Sequence, residues 1–423
     1  MTEACGEARR IGEVMRRARV LQRRSQKEVA AALGCHQSKV SRLESGRGTE
    51  DIRVLRAVAQ ELGIPPGQLG LAAVPDVSAA DFGAEDMRRR TFLAAGVVAF
   101  VSPADSVVAR DELVQALLPG LDPAGTAAPL DTTVLRKRVG EARRLFHTCD
   151  YTALERMLPG LIADLRKAAQ DARAMDAFSP LLATAYQTAT SLLLKQRDQG
   201  TAWLAVGRAM AEAERSGDPL ILASSVRVQA HVLARERHTA QAVALVRRTA
   251  DQLTGSYDRR SPEYLAAVGL LLLRGATAAG GGGDRAATEE FLSKEREVAR
   301  YVSLDRPDAW ATFGPTNVAL HEVSARVALG DVGLALRAAH PLMRRRIPVP
   351  ERRAALWLEV ARAYSRQGHL AEGYRALCVA ETCAAQDVRR PAVRDLVAEM
   401  AARDRRRTLP GLHQLSRRLG VFA

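Results

Sequence analysis

The sequence predicts an all-α protein with a small N-terminal helical domain, linker helices and a C-terminal stack of helix pairs. Ala and Leu dominate a hydrophobic content of 47%, whereas aromatic residues reach only 4%. This composition favours helix over sheet. From residue 132 onward apolar residues recur at helical spacing, and polar breaks interrupt them at intervals of about 38–49 residues, as in helical-repeat proteins.

Changes in composition along the 423 residues divide the chain into three segments. Residues 7–71 should form an N-terminal domain of five helices, the fifth within 66–71. Residues 72–131 are predicted to be a linker with one or two helices, at 87–100 and 104–118, because Pro and Gly cluster on either side of them. Residues 132–423 carry the repeated helical pattern.

The N-terminal segment contains two short predicted helices joined by a tight turn, between Ser25 and Gly46. Ser25 is placed to cap the first helix, and Gly34 is placed where the chain must redirect. The second helix exposes polar groups at its start, while its later residues are apolar on one face. A helix of this kind suits the major groove of DNA. The inward residues of the two helices are Val29, Ala30, Leu33, Val40 and Leu43.

This stretch resembles the helix-turn-helix of the Cro/repressor-type family, also called the xenobiotic-response-element type. The resemblance extends from about Ile11 to Leu69 without a gap, and it implies sequence-specific binding of a double-stranded DNA operator, usually by a homodimer. The residues that carry it are Ser25-Gln26, Glu28-Val29-Ala30, Gly34 and Val40-Ser41-Arg42-Leu43-Glu44-Ser45-Gly46.

The resemblance also implies roles for individual residues. The second helix should read base edges, with Gln37 suited to adenine. His36 lies at a variable position of the family pattern, where it either reads a base or caps the helix. The predicted base-reading residues are Gln37, Ser38, Lys39, Ser41 and Arg42. A formal net charge of +14 suits a polyanionic partner, although a solvated basic face explains exposed cations equally well. The predicted phosphate contacts are Gln26, Arg16, Arg23, Arg24, Lys27 and Arg47. On the helix that precedes these two, predicted over residues 7–22, we expect Val14, Ala18 and Leu21 to point inward and Arg19 to point outward.

The C-terminal segment resembles a tetratricopeptide-like α-solenoid of five or six helix pairs, in which the first helix of each pair lines a concave groove. One unit shows the pattern at Trp357, Val360, Ala361, Tyr364, Gly373, Leu377 and Ala380. A second shows it at Val226, Ala230, Leu233, Ala242, Val246 and Thr249. The breaks between helices fall near Asp150, Gln199, Arg237, Asp284, Gly330 and Gly368.

A ligand contact is predicted at Asn317, which is the only asparagine of the chain. Phe313 and Thr316 belong to the same tentative groove, and Thr316 is placed to cap the following helix. Two interpretations stay open: Asn317 supports the helix cap and Phe313 fills the core, or Asn317 presents its amide to a ligand. Because there is a single asparagine, a small molecule or a partner protein is a better ligand than an extended peptide.

Catalytic and metal sites are not predicted. His321-Glu322 begins like a zinc-protease helix, but Ala325 stands where the second ligand belongs. No cofactor is expected. The five cysteines include no CxxC pair, which favours a reducing cytoplasm with the protein at the nucleoid. The apolar run after Arg90 is too short for a membrane span.

The predicted function is a transcriptional regulator whose repeat domain senses a ligand, mediates dimerisation, or both. The alternative is a scaffold or antitoxin-like protein with autoregulatory DNA binding.

Overall fold

The computed structural model describes residues 2–22, 24–33, 35–47, 52–62, 64, 103–118, 131–170, 175–253, 261–302 and 313–421. Contacts divide the chain into two compact units, Met1–Leu93 and Ala94–Ala423, here named the N-unit and the C-unit. Every regular element in the described ranges is an α-helix, which confirms the predicted fold class. The division falls inside the predicted linker, and the bounds of the three predicted domains stay a prediction.

The N-unit contains four described helices around one apolar core. They are α1 (Thr2–Leu21), α2 (Gln26–Ala32), α3 (Gln37–Glu44) and α4 (Ile52–Glu61). The inward residues predicted for α2 and α3 are buried, apart from Leu33, which is half-buried. Helix α1 differs from the prediction because it begins at Thr2 and its core residues are Ile11 and Met15, with Val14 and Ala18 only half-buried. The core comprises Ile11, Met15, Val29, Ala30, Val40, Leu43, Leu55, Val58, Ala59, Leu62 and Ile64.

Several sequence predictions fall outside the described residues, namely Gly34, Arg23, the fifth helix at 66–71 and the linker helix at 87–100. The second linker helix is present as α5 (Pro103–Leu117). It is part of the C-unit core, because Leu113, Ala116 and Leu117 are buried against the helices that follow. Its apolar face is therefore occupied within the chain.

The rest of the C-unit consists of antiparallel helix pairs, seven of them in the described ranges, whereas the sequence predicted five or six. The pairs are α6 (Thr132–His147) with α7 (Tyr151–Ala168), α8 (Met175–Gln196) with α9 (Gln199–Ser216), α10 (Pro219–Arg235) with α11 (Thr239–Leu253), α12 (Pro262–Gly281) with α13 (Arg285–Ala299), α14 (Pro315–Leu329) with α15 (Val332–Met343), α16 (Pro350–Gln367) with α17 (Leu370–Cys383), and α19 (Pro391–Arg403) with α20 (Pro410–Arg418); the short α18 (Ala385–Val388) precedes the last pair.

The turn inside each of the first six pairs repeats one local structure. A residue in the left-handed region is followed by Asp or His, after which the second helix begins. These turns coincide with the predicted sequence breaks. Since left-handed backbone favours glycine, Gly at three of the six positions is expected, and the other three carry the conformational cost of a side chain. The dipeptides are Cys149-Asp150, Arg197-Asp198, Arg237-His238, Gly283-Asp284, Gly330-Asp331 and Gly368-His369.

Each pair packs on its neighbours along the chain, and first helices also pack on the first helices of the next pair, which is the packing of an α-solenoid. The small residues of the sequence pattern allow this close approach. A Cβ at Gly373 would lie 3.3 Å from the carbonyl oxygen of Ala361 and 2.8 Å from Met400 Cε. Helix α12 is long and apolar enough to cross a membrane, but 67% of its apolar window is buried inside the C-unit, as in a core helix.

The first two pairs of the C-unit also contact the sixth pair and the segment after it. Lys195 Nζ on α8 donates to Glu351 Oε1 on α16 at 2.8 Å and to Asp387 Oδ1 at 2.9 Å. Tyr151 Oη on α7 donates to the same Asp387 oxygen at 2.8 Å. Buried apolar contact between α6 and Ala354 accompanies these bonds. The row of first helices that begins at α6 therefore returns on itself, because its later member α16 lies against the first two pairs.

Candidate nucleic-acid interface

Helix α2 is fixed at its start by a capping box. Glu28 N–H donates to Ser25 Oγ at 3.2 Å, and Ser25 N–H donates to Glu28 Oε2 at 2.6 Å. Two backbone groups that a helix start would leave unbonded are thereby satisfied. Of the two roles left open for His36, the structure shows the helix cap, since Ser38 N–H donates to His36 Nδ1 at 3.4 Å. The cap and the capping box fix where each helix of the motif begins.

The end of α3 is fixed by a glycine in the left-handed conformation. Gly46 has φ +78°, Gly46 N–H donates to the Leu43 carbonyl, and Arg47 N–H donates to the Arg42 carbonyl. This is the Schellman arrangement, which needs a residue without Cβ strain. A second glycine, Gly12 on α1, lies against the same turn. A Cβ there would lie 2.6 Å from the Glu44 carbonyl oxygen and 2.8 Å from Gly46 N, so the backbones of α1 and α3 are in direct contact.

A charged network centred on Glu44 connects the three N-terminal helices. Arg19 Nε donates to Glu44 Oε1 at 2.5 Å, Arg19 Nη2 donates to Oε2 at 3.0 Å, and Gln26 Nε2 donates to Oε2 at 2.7 Å. Burial opposes the charge, but these bonds hold the pKa of Glu44 below its ordinary value. The expectation that Arg19 points outward is wrong: its side chain is 13% exposed because it bridges α1 to α3.

The predicted base-reading residues share one exposed polar surface on α3, which we name the reading face: Gln37, Ser38, Lys39, Ser41 and Arg42. The opposite face is anchored by Val40 and Leu43, which are buried in the core. Arg42 Nε donates to the Ser38 carbonyl at 3.3 Å, so this guanidinium lies along the helix in the free protein. The reading face is thus a set of hydrogen-bonding groups on a helix that is capped at both ends.

The predicted phosphate contacts differ in their surroundings. Arg16, Lys27 and Arg47 are exposed, and Gln26 is bonded to Glu44 through its amide. Arg24 Nη2 lies 2.7 Å from Glu61 Oε1, so its charge is already neutralised by α4. Arg16, Lys27 and Arg47 are therefore the cations best placed to meet a phosphate.

The predicted ligand groove lies in the C-unit, at the start of α14. Phe313 is buried, and its ring occupies the place that a Cβ on Gly269 would fill. Thr316 does not cap the helix, because Gly314 is the N-cap and Pro315 takes the first helical position. Asn317 is 3% exposed, and its amide oxygen and nitrogen have no hydrogen-bond partner among the described residues.

Comparison with known families identifies the N-unit. A sequence model of the helix-turn-helix family, of the Cro/C1 type, matches residues 15–69. The match covers the capped helices and the reading face, and it indicates a DNA-binding transcription regulator. No curated protein and no solved structure matches the chain. The resemblance of the C-unit to tetratricopeptide repeats stays a prediction.

Two structural residues of this site were missed at the level of the sequence. Arg19 appeared as one of several arginines on α1, and nothing near it in the chain shows that its partner is 25 residues away. Gly12 appeared as an ordinary helix residue. The available signal was Glu44, because a carboxylate placed among apolar positions requires a cationic partner.

Proposed function

We propose that the protein is a sequence-specific DNA-binding transcriptional regulator in which the reading face of α3 contacts base edges in the major groove. The observation that carries the proposal is the combination of five exposed polar residues with a helix fixed by caps, a glycine contact and the Glu44 network. Preorganised donors and acceptors on a recognition helix are what base discrimination requires.

Phosphate contacts position this helix on the duplex. We assign them to Gln26, Arg16, Lys27 and Arg47, with Arg23 and Arg24 as further candidates. Each true contact contributes to the release of counterions, so removing one lowers the slope of log affinity against log salt by about one. This slope separates a phosphate contact from a cation that is merely exposed.

The regulator acts as a homodimer in this proposal, because one such domain covers about half of a near-palindromic site. The apolar face of α5 is buried inside the C-unit, so this helix is a poor dimer interface. We assign the dimer contact to the surface of the helix pairs. Light scattering at micromolar concentration, with and without operator DNA, should give twice the chain mass.

The helix pairs provide the sensing part of the proposed regulator. Asn317 supports this role, because both polar atoms of its amide are unbonded within the described residues while the side chain lies on a first helix. Asn317→Ala separates the two interpretations. Normal thermal stability with loss of operator release in cell extract indicates a ligand contact, and loss of stability with normal release indicates a structural role.

The alternative is a protein-interaction scaffold or antitoxin-like protein whose DNA binding is autoregulatory. Stacked helix pairs serve both kinds of protein. The two functions differ in the number of genomic sites: autoregulation requires a site at the protein's own promoter only, whereas a regulator of other genes occupies several.

Capture of genomic fragments by the full-length protein, followed by sequencing, tests the proposal. The matched variants are Lys39→Glu on the reading face and Lys137→Glu on α6, since both lysines are exposed and both changes alter the charge equally. We expect enriched fragments with the native protein and with Lys137→Glu, and none with Lys39→Glu. Equal enrichment by both variants would contradict DNA recognition by α3.

A further inference from the structure

The first helices of the C-unit carry a group of cationic and imidazole side chains that the DNA-binding function does not use. We name this group the inner wall. Its members are half-buried, and they come from five different helix pairs of the row that returns on itself between α6 and α16. The inner wall comprises Arg143 and His147 on α6, Arg227 and His231 on α10, Arg274 on α12, His321 on α14 and Arg352 on α16.

The inner-wall residues are close enough to act on one another electrostatically. Burial and the charges of Arg352 and Arg143 lower the pKa of Arg227 to about 10. Burial together with Arg227, Arg352 and Arg235 lowers the pKa of Arg274 to about 9. Both guanidiniums stay charged at neutral pH. Groups on α6, α10, α12 and α16 therefore share one electrostatic environment, although up to 209 residues separate them along the chain (143 to 352).

One buried acid, Glu351, borders the inner wall, and its Oε2 lies 3.5 Å from Arg352 Nε. Glu351 is the acid whose charge acts on Arg274, His147 and His321, but it already accepts a hydrogen bond from Lys195 Nζ at 2.8 Å. Asp387 is likewise bound by Lys195 and by Arg390, whose Nε lies 3.2 Å from Asp387 Oδ1. The two acids thus serve the contact of the first two pairs with the sixth pair and the segment after it.

Several polar atoms of the inner wall lack a hydrogen-bond partner in the described residues. They are buried nitrogens, and each unbonded one costs about 1–3 kcal/mol when nothing replaces water. For Arg274 the bond described is a long one, from Nη1 to Thr277 Oγ1 at 3.4 Å. The unbonded atoms are Arg227 Nε, Arg274 Nε, His147 Nδ1 and His321 Nδ1.

Arg227 and Arg274 carry charges that repel each other, and the Nε atom of each is an unbonded donor. Together they form a site that is complementary to an anion. An oxyanion accepts hydrogen bonds from guanidinium forks in a bidentate manner and cancels the repulsion between them. A neutral imidazole adds one donor. We propose that the inner wall binds a small molecule bearing a phosphate or carboxylate dianion, held principally by Arg227 and Arg274.

The use of this anion as an effector rests on the proposed regulatory function, whereas its binding does not. Asn317 lies one helical turn before His321 on α14, so the ligand contact predicted from the sequence and the inner wall share one helix. An anion that neutralises charges on α10 and α12 at once alters the packing preference of neighbouring pairs. Binding can therefore be transmitted along the stack.

Thermal unfolding of the full chain tests the site. The probes are inorganic phosphate, pyrophosphate and succinate, each compared with chloride at equal ionic strength, so that phosphate and carboxylate sources are distinguished. The variants are Arg227→Met and Arg274→Met, which remove a charge and keep an apolar stem. Arg337→Met is the matched control, because Arg337 is exposed on the second helix α15.

We expect at least one dianion to raise the unfolding midpoint of the native chain and of Arg337→Met above the value in chloride. Loss of one guanidinium should weaken dianion binding at least about tenfold. In chloride alone, the midpoints of Arg227→Met and Arg274→Met should equal or exceed the native value, because a repelled charge has been removed. A dianion effect no larger than that of chloride, or one that persists in both variants, would overturn the proposal.

Operator binding in the presence of the stabilising dianion forms a separate measurement. A change in operator affinity that is absent from Arg227→Met supports the effector role. Unchanged operator affinity with the dianion bound would contradict sensing by the regulator and leave the anion site standing. Failure of the DNA-binding function would appear in the genomic capture experiment, as equal enrichment by Lys39→Glu and Lys137→Glu. That experiment contains no added dianion.

Discussion

Glu44→Gln is expected to loosen the helix-turn-helix without touching the reading face. The carboxylate is 6% exposed and Arg19 is 13% exposed, so the substitution leaves an enclosed guanidinium without its counter-charge. Removing one partner of a buried charge pair costs about 2–5 kcal/mol. The glutamine oxygen can still accept one bond from Arg19, so the expected loss of stability is about 2–3 kcal/mol, or roughly 30- to 150-fold in an equilibrium constant.

Glu61→Gln is the matched control, because Glu61 pairs with Arg24 at 2.7 Å and both side chains are about 30% exposed. An exposed pair contributes about 0–1 kcal/mol. Hydrogen exchange of the full chain, read on peptides covering α1 to α3, measures the opening constant for each variant. Exchange accelerated by Glu44→Gln and nearly unchanged by Glu61→Gln supports the account. Equal effects of the two substitutions would refute the argument from burial.

Three further predictions concern backbone and protonation. Gly12→Ala should destabilise the N-unit by about 1–3 kcal/mol and weaken DNA binding, whereas Gly207→Ala, with open space around it, should be neutral or stabilising in thermal unfolding. Arg237→Gly should stabilise the C-unit by up to about 1 kcal/mol, and Gly283→Ala should destabilise it similarly, because both positions are left-handed. Lowering the pH from 7.5 to 5.5 should destabilise the C-unit, because burial and inner-wall charges depress the imidazole pKa values in the folded chain. The unfolded chain therefore takes up protons that the folded chain does not. If the pH dependence of the unfolding midpoint is the same in His147→Gln as in the native chain, this reasoning is contradicted. The imidazoles are those of His147 (pKa lowered to about 4), His231 and His321.

The helix starts and ends of the DNA-binding motif could be predicted from the sequence because their causes are local. The capping box joins residues three apart. At the end of α3, Gly46 N–H bonds to the carbonyl three residues before it, and Arg47 N–H bonds to the carbonyl five residues before it. The inward face of α1 could not be predicted in the same way. Ile11 with Met15, and Val14 with Ala18, both have helical spacing, and the choice between them depends on the backbone contact at Gly12.

The repeat period of the C-unit could be predicted from the sequence, because the turn inside each of the first six pairs interrupts the apolar pattern between the two helices. The return of the row of first helices was not visible. It depends on bonds such as that from Tyr151 to Asp387, which are 236 residues apart, and no local pattern records such a pairing. The inner wall follows from this return, because its arginines gather only when distant helix pairs meet. A weak signal exists in the spacing of four residues between Arg143 and His147 and between Arg227 and His231.

Base recognition by α3 is tested most directly by selecting binding sites from randomised DNA with the native protein and with Gln37→Ala. Gln115→Ala, at an exposed position of α5 outside the N-unit, is the matched control. We predict that Gln37→Ala binds the native site about 1–3 kcal/mol more weakly and accepts other base pairs at one position of each half-site, because its bidentate amide contact is lost. Selection of the same site with the same stringency by the native protein and by Gln37→Ala would contradict DNA reading by this helix.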